Sequence, residues 1–427
     1  GGGFYSNNAN PTFNYNAFLN NGASSRGENI GLGGGAMVSN GDQFERSVAN
    51  FEWGYDSHLN YRGDINLQKN AWGGNKASYG NTLSASNYQS NIDMSNSFFD
   101  VYNCPEDEVT QVWVDVDEGL DVDFSSGVGD LCSITEDVWV SLVGDDTLNT
   151  GTSQSEAFLS IERALEMIAP EDDDPITINL TADTFTPSTQ SFPIIMISNV
   201  NLIGQGEDVT ILDANWESRV IIMENSYNNT ISQLSIINGV AFEDDATGLG
   251  MGGGMNISYS NPKLSNMILR GNEAYDGSAI VFYASEPILN NVTVKNNTDG
   301  ASALFIDLSP NAILSRVDII DNSGVGIKFN EVTFGFLQNV LIAKNNAGGI
   351  SSRYSNLEMV NVTIADNEYG IKGEQGGGNI INILNSIIWD SIIPYVGESS
   401  SHGSDDHFSG DYLDTKFDMS ENNMSCS

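Results

Sequence analysis

Residues 289 to 297 read LNNVTVKNN, and the same nine-residue pattern returns as LSNMILRGN (264 to 272), LSRVDIIDN (314 to 322), LQNVLIAKN (337 to 345) and MVNVTIADN (359 to 367). Weaker copies, ISQLSIING from Ile231 and ILNSIIWDS from Ile383, flank them. The closing residues Asn272, Asn297, Asn322, Asn345, Asn367 and Ser391 stand 25, 25, 23, 22 and 24 residues apart. A fixed period of this size marks a solenoid.

Apolar residues fill the first, fourth and sixth places of each copy, as in Leu289, Val292 and Val294 or Leu337, Val340 and Ile342. The spacing of two and the β-branched content predict a short strand with one buried face. A second short strand follows at 278 to 284, 302 to 308 and 326 to 331. Short strands joined by tight bends and repeated each period describe a parallel β-helix, in which a coil buries its apolar face only by stacking on its neighbours. The third place holds Asn266, Asn291, Asn339, Asn361 and Asn385, interrupted by Arg316, and reads as a structural ladder of amides. The closing asparagines are expected in the left-handed conformation of the corners.

Composition bounds the rest. The chain has 427 residues, 44 glycines, and 57 Asp plus Glu against 16 Lys plus Arg, for a net charge of −41. That charge argues against DNA, RNA or an anionic membrane as partner. No apolar run reaches the roughly 18 residues of a membrane span, and no signal peptide is present. The opening GGGFYSNNANPTFNYNAFLNN parallels residues 252 to 272, and IDMSNSFFD (92 to 100) parallels INILNSIIW (381 to 389). The chain is therefore expected to be a fragment holding the end of one β-helix (1 to 103) and most of a second (137 to 391), with 41 to 90 as irregular coils.

Residues 104 to 136 are read as a connector. VWVDVDEGLDVDF (112 to 124) alternates about Glu118 and Gly119 and is expected to form a hairpin. Its Asp115, Asp117, Asp121 and Asp123 lack the glycine and glutamate of an EF-hand loop, so a solvated strand face is preferred to a metal site. Cys104 and Cys132 bracket the connector; a bridge would close about 29 residues and stabilise by roughly 3 to 4 kcal/mol, while two free thiols are the alternative. Cys426 has no evident partner, and His58, His402 and His407 do not make a zinc pattern. Residues 392 to 427, rich in Ser, Asp and Gly, read as a linker or the start of a further element.

The second unit opens with an expected cap (137 to 170): a strand at 138 to 142, a polar loop, then a helix. Ser153 and Glu156 have capping-box spacing, and Phe158, Ile161, Leu165 and Ile168 share one helical face before Pro170. This order of strand, Gly-Asp loop, helix and Asn-rich coils (176 to 391) resembles the secreted right-handed parallel β-helix proteins of the pectin-lyase-like superfamily, especially bacterial surface members with tandem units. Gly144 and Asp146 match that group's loop; Ala157 and Ser160 replace its proline and threonine. The resemblance implies an all-β, right-handed fold and an extracellular or cell-surface location, but no particular activity.

Two function classes remain. The first is a non-catalytic, monomeric rod that acts as scaffold or adhesive module, with loops that bind a surface glycan or a protein. Trp53, Tyr55, Tyr61 and Trp72 are candidates for stacking on sugars or for packing. Glu243, Asp244 and Asp245, or Glu171 to Asp174, are candidate calcium ligands, with no other cofactor expected. The second is a polysaccharide lyase or hydrolase acting on acidic polysaccharide, with Arg270, Lys295 and Asp318 on successive coils as its charged groups. Lys295 and Asp318 otherwise make a surface ion pair.

Overall fold

The computed structural model describes residues 4–7, 16–19, 22–23, 36–39, 65–73, 76–77, 83–86, 92–102, 112–115, 122–123, 125, 128–131, 134–168, 170, 174–241, 250–374, 378–393, 407–411 and 414–415. They divide into two units, 1–136 with 163–170, and 137–162 with 171–427.

In the second unit the nine-residue copies lie in a 17-stranded sheet that runs from Val138–Val140 to Asp414–Thr415. A separate nine-stranded sheet takes one strand from each coil: Ile194–Met196, Ile221–Glu224, Met255–Ser258, Ile280–Tyr283, Ser302–Asp307, Val325–Asn330, Gly348–Arg353, Ile371–Gly373 and Ile392–Ile393. Neighbouring strands run parallel throughout, which makes an all-β parallel solenoid of about nine coils. The register places Leu264, Leu289 and Leu314 in one column, Met267, Val292 and Val317 in the next, and Leu269, Val294 and Ile319 in a third. All nine are at most 1% exposed, and each such side chain contributes about 1.5–3 kcal/mol by its burial.

Three corners per coil carry a residue in the left-handed region. One row is Asn266, Asn291, Arg316, Asn339, Asn361 and Asn385; another is Gly271, Asn296, Asp321, Lys344 and Asp366; the third is Tyr259, Ala284, Leu308, Glu331 and Tyr354. The closing asparagines are thus not the left-handed residues; the residue before each one is. That leaves their side chains free to turn inward. Asn272 donates its N–H and its Nδ2 to Asn297 Oδ1, each at 3.0 Å. Asn297, Asn322 and Asn345 repeat the contact with Asn322, Asn345 and Asn367. The row ends at Asp390, whose Oδ2 accepts both bonds from Asn367 at 3.0 Å, so Asp390 rather than Ser391 closes the last copy.

A second buried row lies after the tyrosine-bearing corner. Ser226, Ser260 and Ser285 donate their N–H groups to the hydroxyls of Ser260, Ser285 and Ser309, and Ser355 donates to Asn379 Oδ1. The third-place asparagines form an outer ladder instead. Asn291 Nδ2 donates to Asn266 Oδ1 at 2.8 Å and Asn361 Nδ2 to Asn339 Oδ1 at 3.1 Å, and Asn385 bonds Asn361 likewise. Arg316 continues the corner and reaches Asn290 Oδ1 at 2.6 Å.

At the opening of this unit the capping box does not form: Ser153 makes no side-chain cap to the short 3-10 turn Gln154–Glu156. Asp146 serves in its place. Its Oδ1 accepts from Leu159 N at 2.7 Å and Ser160 N at 3.0 Å, and its Oδ2 accepts from Ser160 Oγ at 2.8 Å. Gln190 Oε1 takes the N–H of Ile161, the first residue of the helix Ile161–Met167, at 2.9 Å. A Cβ on Gly144 would stand 2.2 Å from Phe158 O, so the loop closes on this chain only with glycine there.

In the first unit the strands Phe4–Asn7, Ala36–Ser39, Leu83–Ser86 and Val112–Asp115 form one parallel sheet. Val122–Asp123 pairs in parallel with Ile92–Asp93 in another. The expected hairpin over 112 to 124 is therefore absent, and both halves add coils to ladders already present. Alternation of apolar and acidic residues specifies a half-buried strand but not its partner. Regular pairing also enters the stretch expected to be irregular, at Ile65–Asn66 and Ala71–Gly73. Asn16 N donates to Asn70 Oδ1 and Asn70 N to Ser97 Oγ, the same corner device as in the second unit. No helix among the described residues is long and apolar enough to cross a membrane.

The two amide rows differ in what their loss exposes. Asn322→Ala removes an acceptor from two buried Asn297 donors and a donor from Val294 O and Asn345 Oδ1. It is expected to cost about 3 kcal/mol in urea unfolding of the whole chain, whereas Asn291→Gly, which keeps the left-handed corner and removes only the outer ladder, costs less than about 0.5 kcal/mol. Leu308, with φ 50° and 40% exposed, tests the corners from the other side. Leu308→Asn is expected to raise stability by about 1 kcal/mol, because asparagine tolerates this region and leucine does not.

Candidate functional site

Strands of the nine-stranded sheet turn alternate side chains inward and outward, and two outward columns result. The first runs Val281, Phe305, Lys328, Ser351 and Lys372, of which Val281, Phe305 and Ser351 are covered and only the two lysines reach solvent; the second runs Tyr283, Asp307, Asn330 and Arg353. Inward neighbours such as Ile327, Phe329, Ile350 and Ile371 are at most 1% exposed, which fixes the direction of the rest.

Between residues 263 and 372 lie eight of the 16 Lys and Arg but only 11 of the 57 Asp and Glu. Three of the eight, Lys328, Arg353 and Lys372, stand on the nine-stranded sheet, and the other five on the large sheet or its corners. Lys328 Nζ lies 4.5 Å above the Phe305 ring, Arg353 Cζ 5.0 Å from the centre of the Tyr354 ring and Lys372 Nζ 5.7 Å from that of Tyr369. Each pair is within the reach of a cation–π contact, worth about 0.5–1 kcal/mol at an exposed site. Lys328 Nζ also meets Asp276 Oδ2 at 2.6 Å. Asp276 is buried, and its Oδ1 accepts from Ser302 Oγ at 2.5 Å. Lys372 Nζ stands 3.5 Å from Glu374 Oε1, which also accepts from Ser351 Oγ at 2.9 Å. Arg353 is exposed and has no ion-pair partner among the described residues.

The upstream part of the face is aromatic and acidic. Tyr259 and Tyr283 meet edge to face at 5.5 Å. Burial, reinforced by Tyr259, Asp307 and Glu331, pushes the Tyr283 hydroxyl up to about 12. Burial also holds the Asp307 carboxyl above its usual range, with Glu331 adding to the effect, although Asn330 Nδ2 donates to its Oδ1 at 2.7 Å. Tyr369 is likewise raised to about 12, by burial first and then by Glu374 and Glu368. Its ring lies against Gly348, where a Cβ would come within 2.3 Å.

The residues singled out from the sequence do not converge on this face. Arg270 and Lys295 are register neighbours in the 17-stranded sheet, but the next residue in their column is Ile320. Asp318 stands beside Thr293, two residues away along the strand. Lys295 and Asp318 are not an ion pair: the ion pairs among the described residues are Arg163–Glu166, Lys328–Asp276 and Lys372–Glu374. Trp72 is fully buried, which places it in the core and not against a ligand. Trp53, Tyr55, Tyr61, Glu243, Asp244, Asp245, Cys104, Cys132 and Cys426 lie outside the described residues. Among the described residues no three His, Cys, Asp or Glu side chains come together as a metal site.

Sequence reasoning passed over Lys328, Arg353 and Lys372. A signal was present: Gly326-Ile327-Lys328 recurs as Gly370-Ile371-Lys372, 44 residues and two periods later.

No protein-family model matches the chain, and no curated protein matches it. Among solved structures, a pectin methylesterase from Erwinia chrysanthemi superposes with a TM-score of 0.31 at 11% identity, over 69% of this chain and 94% of its own. A pectate lyase gives 0.34 at 14% identity, over 65% and 68%. The A-module of a mannuronan C-5 epimerase from Azotobacter vinelandii gives 0.26 at 15% identity, over 56% and 86%. At these scores the fold rests on the chain's own parallel ladders.

The raised Asp307 carboxyl carries a sign that can be checked. An acid whose folded pKa lies above its unfolded value stabilises the fold at low pH and loses that contribution as pH rises through the folded value. Asp307→Asn keeps an acceptor for Asn330 and removes the half-buried charge. It is expected to raise the urea midpoint at pH 7, with the gain over wild type shrinking as pH falls below the carboxylate range.

Proposed function

We propose that this protein acts outside the cell as a rigid β-solenoid that holds acidic polysaccharide along the outward face of its nine-stranded sheet, as an adhesive module and not a catalyst. The observation that carries this reading is the run of Lys328, Arg353 and Lys372 on three successive coils, each beside an aromatic ring. The Phe305 and Tyr369 rings are buried and only back their lysines, whereas the exposed Tyr354 ring leaves a face on which a sugar can stack, and carboxylates of sugar acids pair with cations at about 1.5–3 kcal/mol for a charge-assisted hydrogen bond. Coils about 4.8 Å apart advance by close to the length of one pyranose in an extended chain, so successive sugars meet equivalent positions. Calcium belongs to the same proposal, as an ion that would screen a chain of net charge −41 against a polyanion.

A second reading, a lyase or hydrolase acting on acidic polysaccharide, draws on one observation: the half-buried, raised carboxyl of Asp307 beside Tyr283 is suited to donate a proton.

Binding of polymannuronate, polygalacturonate and a neutral glucan, with and without calcium, tests the proposal. The acidic polymers are expected to bind, more weakly as salt rises, and the triple change of Lys328, Arg353 and Lys372 to Ala to lower affinity by about 1,000-fold, which is three contacts of about 1.4 kcal/mol. Equal binding of the neutral glucan would sink it. Release of unsaturated or reducing ends, lost in Asp307→Asn, would establish the second reading instead.

A further inference from the structure

Lys328, Ser351 and Lys372 are register partners, so the two lysines stand in one column, two coils apart. Arg353 belongs to the coil between them but to the other column, opposite Asn330 and two residues along the strand. The three cations therefore alternate sides as the coils advance. Each step is about 4.8 Å along the stack and about 6.7 Å across it, from the strand spacing and the rise of two residues.

A straight row of cations would suit anions that all face one way. An alternating row suits a chain that turns over at every unit, as β-1,4-linked sugars do when successive rings flip by half a turn. Resting on the polysaccharide reading above, we propose that this face selects twofold ribbons bearing a carboxylate on every sugar, with Lys328 and Lys372 taking the carboxylates of one edge and Arg353 the carboxylate of the other. The local charges fit this arrangement. Lys328 and Lys372 each already face one protein carboxylate, Asp276 and Glu374, and each ammonium keeps further protons to donate. Arg353 has no such partner among the described residues and offers a whole guanidinium edge to a carboxylate. The stretch is bounded by Phe305 on one side and Ile393 on the other in the lysine column, so it reads about three sugars.

The test compares two probes on the full chain: oligomannuronate, with a carboxylate on every sugar, and a β-1,4-linked cello-oligosaccharide with only every second sugar oxidised to the uronate. On a twofold ribbon the latter presents its carboxylates along one edge and can use Lys328 and Lys372 but not Arg353. Wild type is expected to prefer oligomannuronate by about tenfold, one such contact. Arg353→Ala is expected to erase that preference while changing affinity for the half-carboxylated probe by less than about twofold, and Lys372→Ala to weaken both probes by about tenfold. Lys263→Ala, on the other sheet, should change neither. If Arg353→Ala weakens both probes equally, the alternation has no role and the inference is overturned while polysaccharide binding stands. If wild type binds neither probe, both fall together.

Discussion

Each coil of this protein must turn three corners around an interior without room for water, and each corner leaves backbone N–H groups pointing into that interior. An unmet buried donor costs about 1–3 kcal/mol, and a stack of coils repeats the debt at every level. The chain meets it with side chains from the next coil: the row from Asn272 to Asp390 at one corner and the serines from Ser226 to Ser355 at another. Both devices depend on a preceding residue with positive φ, since that conformation swings the following side chain inward. Tyr259, Leu308 and Tyr354 accept an unfavourable backbone so that Ser260, Ser309 and Ser355 can reach their partners.

With the interior filled by these rows and by aliphatic columns, chemistry is confined to the outside. There the two sheets differ. Arg270 and Lys295 on the large sheet stand in a column that continues into Ile320, while the small sheet sets Lys328, Arg353 and Lys372 beside rings and acids. On an acidic molecule, such a local concentration of cations is where an anionic ligand meets the least repulsion.

The solenoid was legible in the sequence because the apolar columns have to repeat with the coil, and Leu289, Val292 and Val294 do so visibly. The roles within the repeat were less so. Third-place and closing asparagines look alike as letters, yet Asn291 bridges coils on the surface and Asn297 does so inside, a difference set by which residue takes the left-handed turn. The serine row was readable too, since Ser260, Ser285 and Ser309 fall 25 and 24 residues apart, but serine is common in loops and draws no notice. The hairpin over 112 to 124 failed for a different reason: strand partners in a solenoid are a full coil away, and local alternation contains no information about them. The cationic face was harder to see because Lys328 and Lys372 recur only at every second period and Arg353 belongs to the other column.

The Asp276–Lys328 contact joins coils that are not neighbours. Coils of a solenoid touch only their neighbours, so such a rod can in principle fray one layer at a time. Asp276 precedes the strand Ile280–Tyr283 and Lys328 lies in Val325–Asn330, with the whole layer of Ser302–Asp307 between them, itself tied in through Ser302 Oγ. Three layers are thereby clasped as one mechanical block. Separating any one of these layers from the stack therefore also breaks a contact to a layer beyond its neighbour, so their opening is coupled.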